Sequence, residues 1–489
     1  MASVTIAGYR GRQITVQTGL FIDNQFVPSI DGKTLDVENP SAGKLLATVS
    51  AAQKEDIDRA VSSSKKAYES WKTTSPSARS QLILKLADLV EQHTEDLASI
   101  QALEAGTLYT ESVDFHVPSS VKALRYFAGW TDKLDGLSLN IPQGLSYTVR
   151  LPVGVCGAII PWNTFLIGFW KIAAAIGAGN VVVIKTAEVA PLWAQKLAEL
   201  IVEAGFPPGV INITTGLGTV AGQYLAEHHD VRKIAFTGSV RVGREILAAS
   251  SKSNLKKVSL ELGGKSPTII FADADLNNAL YWASLGITMG SGQICASGSR
   301  IYVQDSIYDK FVEEFAARLR DGIHGDPLLP ETTKGAAVSQ SQADKVMNYI
   351  KQGKESGAKL VCGGEMLPGP GYFIANTIFS DVPQQATIMQ EEIFGPVASI
   401  ARFHTEEEVI AKANDSPYGL SSAVFTTNIN TALRVSQGIE AGTVGVNAWG
   451  LANPNVPFGG VKQSGFGRDC GQAALEEWTK IVYSSAKNR

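Results

Sequence analysis

Cys295 and Glu261 stand in sequence surroundings that suit a nucleophile and a base. Cys295 lies in a run of small residues, 290–299, with little apolar surface to bury a thiol, which favours an accessible sulfur nucleophile over a structural cysteine. Glu261 interrupts the apolar stretch 258–262, directly before two glycines. Because a buried carboxyl must be paired or shifted in pKa, Glu261 is either a general base or part of a structural salt bridge.

Three further stretches carry groups that could hold a nucleotide. The glycines of 216–222 resemble a dinucleotide-binding pattern, but their spacing is one residue too long. Phe-Thr-Gly-Ser at 236–239 precedes a predicted helix and either cradles a pyrophosphate or forms an ordinary helix cap. Lys185 and Glu188 follow an apolar strand, where they either bind ribose hydroxyls or form a surface ion pair.

These side chains need a scaffold, and the stretch 153–262 predicts one. Short β-branched runs alternate there with helical stretches, and they predict strands at 153–160, 180–184, 210–213, 231–236 and 257–262. This alternation is typical of repeated βαβ units in a parallel, doubly wound sheet. Since such sheets bind ligands at the carboxyl ends of their strands, the polar groups above are well placed.

Helices are predicted before this sheet, and a second α/β unit after it. Apolar spacing predicts a helix over 54–71, then an N-cap and first-turn proline at 75–76 that begin a long helix to about residue 103. The second unit has predicted strands at 268–271, 300–303, 422–426 and 442–446, and a helix at 308–319. Gly263-Gly264 reads as a hinge between the units. Residues 138–150 and the last fifteen or so residues predict edge strands that reach another subunit.

Composition excludes several classes of protein. The 489 residues carry a net charge of -4 with only 18% charged side chains, which argues against a disordered chain and against a nucleic-acid binder. Four scattered cysteines form neither a disulfide framework nor a metal clip, so a reduced, intracellular protein is expected. The uncharged stretch 151–170 is broken by prolines and predicts buried strand and helix, so no membrane span is expected. The cluster at 227–230 favours a solvated helix end over a metal site.

Taken together, seven motifs resemble the aldehyde dehydrogenase superfamily, in order and over nearly the whole chain. They are Pro161-Trp162-Asn163, Lys185-x-x-Glu188, Phe236-Thr237-Gly238-Ser239, Leu260-Glu261-Leu262-Gly263-Gly264-Lys265, Gly292-Gln293-x-Cys295, Glu391-Glu392-x-Phe394-Gly395-Pro396 and Pro457-Phe458-Gly459-Gly460-x-Lys462-x-Ser464-Gly465. The resemblance implies an α/β fold with a Rossmann-like cofactor domain at 1–132 and 152–263, and a second α/β catalytic domain at 264–465. It also implies a small β oligomerisation element at 133–151 and 466–489.

The same resemblance implies a role for each site residue. Cys295 is expected to attack the aldehyde, Asn163 and the Cys295 N–H to stabilise the oxyanion, and Glu261 to activate the water that hydrolyses the thioester. NAD is the expected cofactor, preferred over NADP because Glu188 repels a 2′-phosphate. Its expected binding residues are Ile159, Pro161, Trp162, Lys185, Glu188, Gly218, Phe236, Gly238, Ser239, Leu262, Glu392 and Phe394. Lys171 and Asp469 match positions assigned to a proton path, or are structural.

The sequence says less about the substrate than about the cofactor or the reacting residues. The sequence departs from the family pattern in two places. A shortened segment after Asn163 leaves the shape of the passage open, and Thr186 in place of proline loosens the turn after Lys185 without removing either ligand. Phe165, Trp170, Ile294 and Phe458 predict an apolar passage for a small-molecule aldehyde, although such residues are as often core. The expected protein is an NAD-dependent dehydrogenase that forms a carboxylic acid, a homodimer or homotetramer, cytoplasmic or alternatively mitochondrial, without metal. A catalytically silent NAD-binding protein and an acylating aldehyde dehydrogenase are the alternatives.

Overall fold

The βαβ alternation builds the first of two large sheets in the computed structural model, which describes residues 2–142, 144–320 and 322–487. This sheet has eight strands. In spatial order they are Gly465–Phe466, Lys257–Glu261, Lys233–Thr237, Val155–Ile159, Val181–Thr186, Ile211–Thr215, Leu20–Ile22 and Gln25–Val27. The five predicted strands form its parallel centre, and antiparallel strands from distant parts of the chain close both edges.

The second large sheet has seven strands and follows Gly263-Gly264 in the chain. In spatial order they are Lys359–Cys362, Thr377–Ser380, Val397–Phe403, Arg300–Gln304, Pro267–Ile270, Ser421–Phe425 and Thr443–Val446. All are parallel to their neighbours except the first, at the edge. The mixed α/β class predicted from the sequence is therefore confirmed.

A third, smaller sheet joins the two segments that predicted edge strands. Thr479–Lys487 pairs antiparallel with Gly144–Pro152, which pairs with Ser138–Ile141. Three two-stranded ribbons complete the strands: Ser3–Ala7 with Gln13–Gln17, Thr34–Asn39 with Lys44–Ser50, and Tyr418–Gly419 with Val461–Lys462.

Helices cover both faces of the large sheets. They span Lys54–Trp71, Pro76–Gln92, Thr94–Ala105, Tyr109–Glu111, Val117–Ala128, Leu166–Gly177, Leu192–Ala204, Gln223–Glu227, Val240–Lys252, Leu276–Thr288, Tyr308–Arg320, Gln340–Glu355, Thr387–Gln390, Glu406–Asn414, Ile429–Gly438 and Gly471–Glu477. Short π-helical turns occupy Ser112–His116 and Gly218–Gly222. In the described parts of the chain, no helix is both long and apolar enough to cross a membrane.

The helix boundaries agree with the sequence at 54–71 and differ after it. The Ser75 hydroxyl accepts the N–H of Ala78, as the predicted cap requires. The single long helix predicted to about residue 103 is wrong, because His93 leaves the helical conformation (φ -98°, ψ 24°) and splits it. The His93 ring then contacts Asp96 in the first turn of the next helix at 3.0 Å.

Candidate active site

The strand order of the first sheet explains where its ligands bind. In chain order the five parallel strands lie 5-4-1-2-3 across the sheet, so the connections reverse direction between Val155–Ile159 and Lys233–Thr237. Loops leaving the sheet on either side of such a switch point diverge and leave a crevice at the carboxyl strand ends. The segments 160–163 and 238–239 begin at this crevice, while Lys185 and Glu261 are the last residue but one and the last residue of two of the parallel strands.

A cavity of about 990 Å³ opens at this crevice and extends to the second sheet. Every predicted site residue but one lines it: Ile159, Pro161, Trp162, Asn163, Trp170, Lys185, Glu188, Gly218, Phe236, Gly238, Ser239, Glu261, Leu262, Ile294, Cys295, Glu392, Phe394 and Phe458. The folded chain thus brings the predicted nucleophile, base and cofactor-binding residues together around one cavity. The exception, Phe165, is described below.

Cys295 sits on the loop between the helix ending at Thr288 and the strand starting at Arg300, partly open to the cavity. Burial, then the nearby carboxyls of Glu392 and Glu261, raise the pKa of its thiol to about 12. The backbone N–H groups of Cys295 and Ala296 act in the opposite direction by hydrogen bonding to the sulfur. The resting thiol is therefore protonated, and attack requires a base that takes its proton.

Glu261 contributes a carboxyl group to the same cavity. It ends a buried strand and is 5% exposed, and its Oε2 has no hydrogen-bond partner among the described residues. Burial, reinforced by the negative charge of Asp469, raises its pKa well above the ordinary value, while Lys171 lowers it. Gly459 lets this carboxylate lie against the backbone, since a Cβ there would come within 2.6 Å of Oε1. A free, desolvated carboxyl of this kind suits proton transfer near neutral pH.

A buried ion pair adjoins Glu261. Lys171 Nζ donates to Asp469 Oδ2 at 2.6 Å, and both side chains are buried. The two residues that matched a proton path are thus in direct contact, and both influence the pKa of Glu261.

A hydrogen bond from the Asn163 side chain to the loop that carries Cys295 fixes the orientation of Asn163. Its Nδ2 donates to the carbonyl oxygen of Gln293 at 2.9 Å. Gln293 is itself anchored, because its Nε2 donates to the carbonyls of Gly290 and Ala336 and its Oε1 accepts the N–H of Val338. An amide has two N–H bonds, so Asn163 keeps a second donor for a ligand in the cavity.

At the far end of the cavity, Lys185 and Glu188 form the predicted pair. Lys185 Nζ donates to Glu188 Oε2 at 2.8 Å. Burial disfavours ionisation of Glu188, but the charge and hydrogen bond of Lys185 outweigh it and lower the pKa of the carboxyl. Ser239 caps the helix that starts at Val240, with its hydroxyl accepting the N–H of Val242 at 3.4 Å. The predicted helix cap is therefore present, and it faces the same cavity.

Gly263-Gly264, which the sequence predicts to be a hinge, allows a close approach of the Glu392 carboxyl. A Cβ on Gly263 would lie 2.3 Å from Glu392 Oε2, and the N–H of Gly264 donates to Glu392 Oε1 at 3.1 Å. The absence of a Cβ at Gly263 therefore makes room for the Glu392 carboxyl, and the hinge stays a prediction. Phe394 stacks edge-on against Trp162, with ring centroids 5.5 Å apart.

Aromatic and aliphatic side chains line the part of the cavity near the helix 166–177. Trp170 and Phe458 lie with ring centroids 5.6 Å apart, and Leu166 and Ile167 pack with them. The expectation for Phe165 is wrong: its ring is fully buried and does not line the cavity, because it packs with Phe169 and Trp193 in the core.

Sequence reasoning missed Phe115 and His116 in this wall. Phe115 and His116 lie on the π-helical turn 112–116 and line the cavity, although no motif included them. Burial lowers the pKa of His116 to about 4, so its ring is neutral at pH 7. Arg300, the arginine nearest Cys295 in the sequence, is buried and donates to the backbone carbonyls of Lys265 and Ala413, away from the cavity.

Potential metal ligands and cysteines are dispersed over the residues that the structure describes. Within 2–142, 144–320 and 322–487, no group of three or more His, Cys, Asp or Glu is arranged to hold a metal ion. The four cysteines are free thiols.

The comparisons with known proteins agree with this geometry. A model of the aldehyde dehydrogenase family matches residues 26–483. An aldehyde dehydrogenase of Alternaria alternata is 47% identical over 487 residues, covering 99% of this chain and 98% of its own. Human aldehyde dehydrogenase 1A1 is 45% identical, with 96% and 95% covered. The NAD+ complex of the Bacillus cereus aldehyde dehydrogenase has a TM-score of 0.95 at 43% identity, with 97% of each chain covered. The chain therefore belongs to the aldehyde dehydrogenase family, as its motifs predicted.

Proposed function

We propose that the protein oxidises an uncharged aldehyde to a carboxylic acid with NAD, through a thiohemiacetal and a thioester on Cys295. Family membership makes aldehyde oxidation the reaction class and NAD the cofactor. The observation that carries the detailed mechanism is the convergence of Cys295, Glu261 and Asn163 on one cavity. Each supplies a different requirement of acyl chemistry: a nucleophile, a base and a preorganised donor.

In the first step the thiol of Cys295 loses its proton to Glu261 and the sulfur attacks the carbonyl carbon. The raised pKa of Glu261 makes its carboxylate a stronger base for this proton, whereas the raised pKa of the thiol opposes the transfer, so that attack on the carbonyl must accompany it. The carbonyl oxygen becomes an oxyanion, which accepts hydrogen bonds from Asn163 Nδ2 and from the Cys295 N–H. Because Gln293 already orients Asn163, this donor needs no rearrangement when the charge develops.

The residues at the crevice fit a dinucleotide. Glu188, held by Lys185, offers an ionised carboxylate to ribose hydroxyls, and a Cβ at Gly218 would meet nothing within 4 Å, which leaves open space beside that pair. The capped helix starting at Val240 presents backbone amides to the pyrophosphate. Glu392, seated on Gly263 and Gly264, would hold the nicotinamide ribose. When bound there, NAD supplies the hydride acceptor that turns the thiohemiacetal into a thioester.

Before the last step Glu261 gives up the proton that it took from the thiol, so that it is again a carboxylate. It then takes a proton from water, which attacks the thioester; the C–S bond breaks and releases the carboxylic acid and the Cys295 thiolate, which regains a proton from Glu261. The unpartnered Oε2 of Glu261 is free to accept the proton from water. The adjoining Lys171–Asp469 pair lies where it could pass the proton onward from Glu261. Retention of this base favours hydrolysis over transfer of the acyl group to coenzyme A.

The lining of the substrate end supports an apolar aldehyde. Trp170, Phe458, Ile294 and the newly found Phe115 surround this region with aromatic and aliphatic surface. Such surface stabilises uncharged groups, whereas a carboxylate would be desolvated there, and the described residues around Trp170 and Phe458 offer it no cation. We therefore expect aliphatic or aromatic aldehydes to be better substrates than semialdehydes.

The remaining proposals concern organisation. The two large sheets support a cofactor domain at 1–132 and 152–263 and a catalytic domain at 264–465, with the small sheet at 133–151 and 466–489. That small sheet exposes Leu139, Leu145, Tyr147, Ile481 and Tyr483. An exposed apolar sheet with a free edge is typical of a subunit contact, which supports a homodimer or homotetramer.

The central test replaces the nucleophile. Cys295→Ala is expected to abolish NADH formation from an aldehyde panel, while Cys362→Ala, a matched thiol in the strand 359–362, keeps wild-type rates. Glu261→Gln is expected to slow turnover about 10²–10⁴-fold, because it removes the base of the hydrolysis step. Robust turnover by Cys295→Ala, or wild-type turnover by Glu261→Gln, would contradict the mechanism. A strict requirement for coenzyme A would favour the acylating alternative.

A further inference from the structure

Glu111 is a carboxyl group that no motif includes and that contacts the nucleophile loop directly. The N–H of Gly290 donates to Glu111 Oε2 at 3.1 Å and lies 3.3 Å from Oε1. Glu111 ends the short helix Tyr109–Glu111, which belongs to the N-terminal part of the chain, whereas Gly290 precedes Cys295 by five residues. This contact therefore joins two distant parts of the chain beside the thiol.

The contact lies in a turn of unusual conformation, which is strained at Ser291. Gly290, Ser291 and Gly292 are consecutive residues with left-handed φ angles of 54°, 55° and 72°. A non-glycine residue in this region costs roughly 1–2 kcal/mol, which Ser291 incurs. Such a turn persists only where its surroundings hold it in place.

Three contacts hold the turn, one at each residue. Glu111 accepts the N–H of Gly290, and the Ser291 hydroxyl donates to the carbonyl of Gly335 at 2.8 Å. At Gly292 the chain lies so close to a neighbouring loop that a Cβ would come within 2.2 Å of the carbonyl oxygen of Gly395. The Glu111 contact is the one made by an ionisable side chain.

The turn leads directly to the groups of the proposed mechanism. The carbonyl of Gly290 accepts both the backbone N–H and the side-chain Nε2 of Gln293, each at 3.1 Å. The carbonyl of Gln293 in turn accepts the side chain of Asn163 at 2.9 Å. A shift of Gly290 would therefore move the Asn163 donor and Cys295 together.

Glu111 is well fixed for this task. The N–H of Tyr109, two residues before it, donates to the carbonyl of Pro327 at 2.9 Å and ties the short helix to the second half of the chain. Burial raises the pKa of Glu111 to about 7, against the effect of the Gly290 N–H. Because a protonated carboxyl retains a carbonyl oxygen, Glu111 accepts this hydrogen bond in either ionisation state.

We propose that Glu111 is a positioning residue that holds the strained turn 290–292 so that the Cys295 thiol and the Asn163 amide face the same carbonyl group. Its effect on turnover rests on the proposed function, whereas its effect on the thiol does not. Misplacement of reacting groups by about 1 Å can cost about 10²-fold in rate, so loss of this contact should be visible in kcat.

The experiment compares Glu111→Met, Glu111→Ala and Glu111→Gln with the wild-type protein. Methionine and alanine offer no acceptor to Gly290, while the glutamine Oε1 does. Asp114→Asn, which alters an exposed carboxylate on the neighbouring turn, is the control. The readouts are kcat and KM for NAD with an aliphatic aldehyde, and the rate at which iodoacetamide alkylates Cys295 in the absence of substrate.

Glu111→Met and Glu111→Ala are expected to lower kcat about 10–100-fold with little change in the KM for NAD. They are also expected to slow alkylation, because displaced N–H groups at Cys295 and Ala296 no longer stabilise the thiolate. Glu111→Gln should recover most of both losses. The proposal is overturned if the variants without an acceptor match wild type, if glutamine restores nothing, or if the KM for NAD rises as far as kcat falls. A wild-type protein that oxidises no aldehyde would refute the proposed function alone, since alkylation would still test Glu111.

Discussion

The carboxylate of Glu188 is expected to decide between NAD and NADP, and Glu188→Gln removes its charge with almost no change of shape. The side chain is held at 2.8 Å from Lys185 Nζ, and its lowered pKa keeps it ionised at neutral pH. NADP differs from NAD by a phosphate on the ribose that this carboxylate would contact. Two anions would then meet at one site, which disfavours NADP.

The size of the effect follows from the charges and the exposure of the site. Two unit charges about 5 Å apart at an effective dielectric constant of about 20 repel by roughly 3 kcal/mol. The Glu188 side chain is 37% exposed, so solvent screens part of this repulsion. We take about 1.4–2.8 kcal/mol, which is about 10–100-fold in the ratio of kcat/KM for NADP to that for NAD. After the substitution Lys185 also lacks its anionic partner and attracts the phosphate.

Initial rates of reduced-cofactor formation with both dinucleotides measure this ratio. For the wild-type protein the ratio should rise with ionic strength, because salt screens repulsion between partly exposed charges, and Glu188→Gln should lose this dependence. Glu245→Gln is the control: it removes another cavity-lining carboxylate, which is exposed and paired with Arg241. A ratio that is the same in Glu188→Gln and wild type would refute the electrostatic reasoning.

Two further predictions concern the buried charges and the thiol. Lys171→Met should lower the free energy of unfolding in urea by about 3–5 kcal/mol, because it leaves Asp469 buried without its partner. Adding Asp469→Leu should restore most of this loss. If Lys171→Met loses no more stability than the double variant, this reasoning is wrong. Because the pKa of Cys295 is raised to about 12, the thiolate fraction rises about tenfold per pH unit below that value. The rate of iodoacetamide alkylation of the cofactor-free protein should therefore climb from pH 6 to 9 without a plateau; a plateau near pH 7 would show a lowered pKa instead.

Local patterns were enough to predict most of the scaffold. The five parallel strands of the first sheet, the helix 54–71 and the cap at Ser75 depend on apolar periodicity and on neighbours a few residues away, and all are present. The sequence did not predict the helix break at His93, because the residues around it are compatible with helix and the backbone angles at one residue depend on its tertiary surroundings.

The candidate site likewise contains residues that the sequence predicted and residues that it did not. The sequence predicted Cys295, Glu261 and Lys185 because their side chains contrast with their surroundings. Cys295 lies among small residues, Glu261 interrupts an apolar stretch, and Lys185 follows one. Phe165 was misjudged, since an aromatic residue at the N-terminus of a buried helix can face either a cavity or the core, and only the folded chain shows that its ring packs against Trp193.

What the sequence determined by itself is therefore the kind of chemistry and the order of the elements that carry it. What only the tertiary structure decided is which groups meet: Glu111 with Gly290, Glu392 with Gly264, and Lys171 with Asp469. The two residues of each pair are between 128 and 298 positions apart in the chain. Contacts over such separations arise from how the two sheets join, and no local pattern of residue types encodes them.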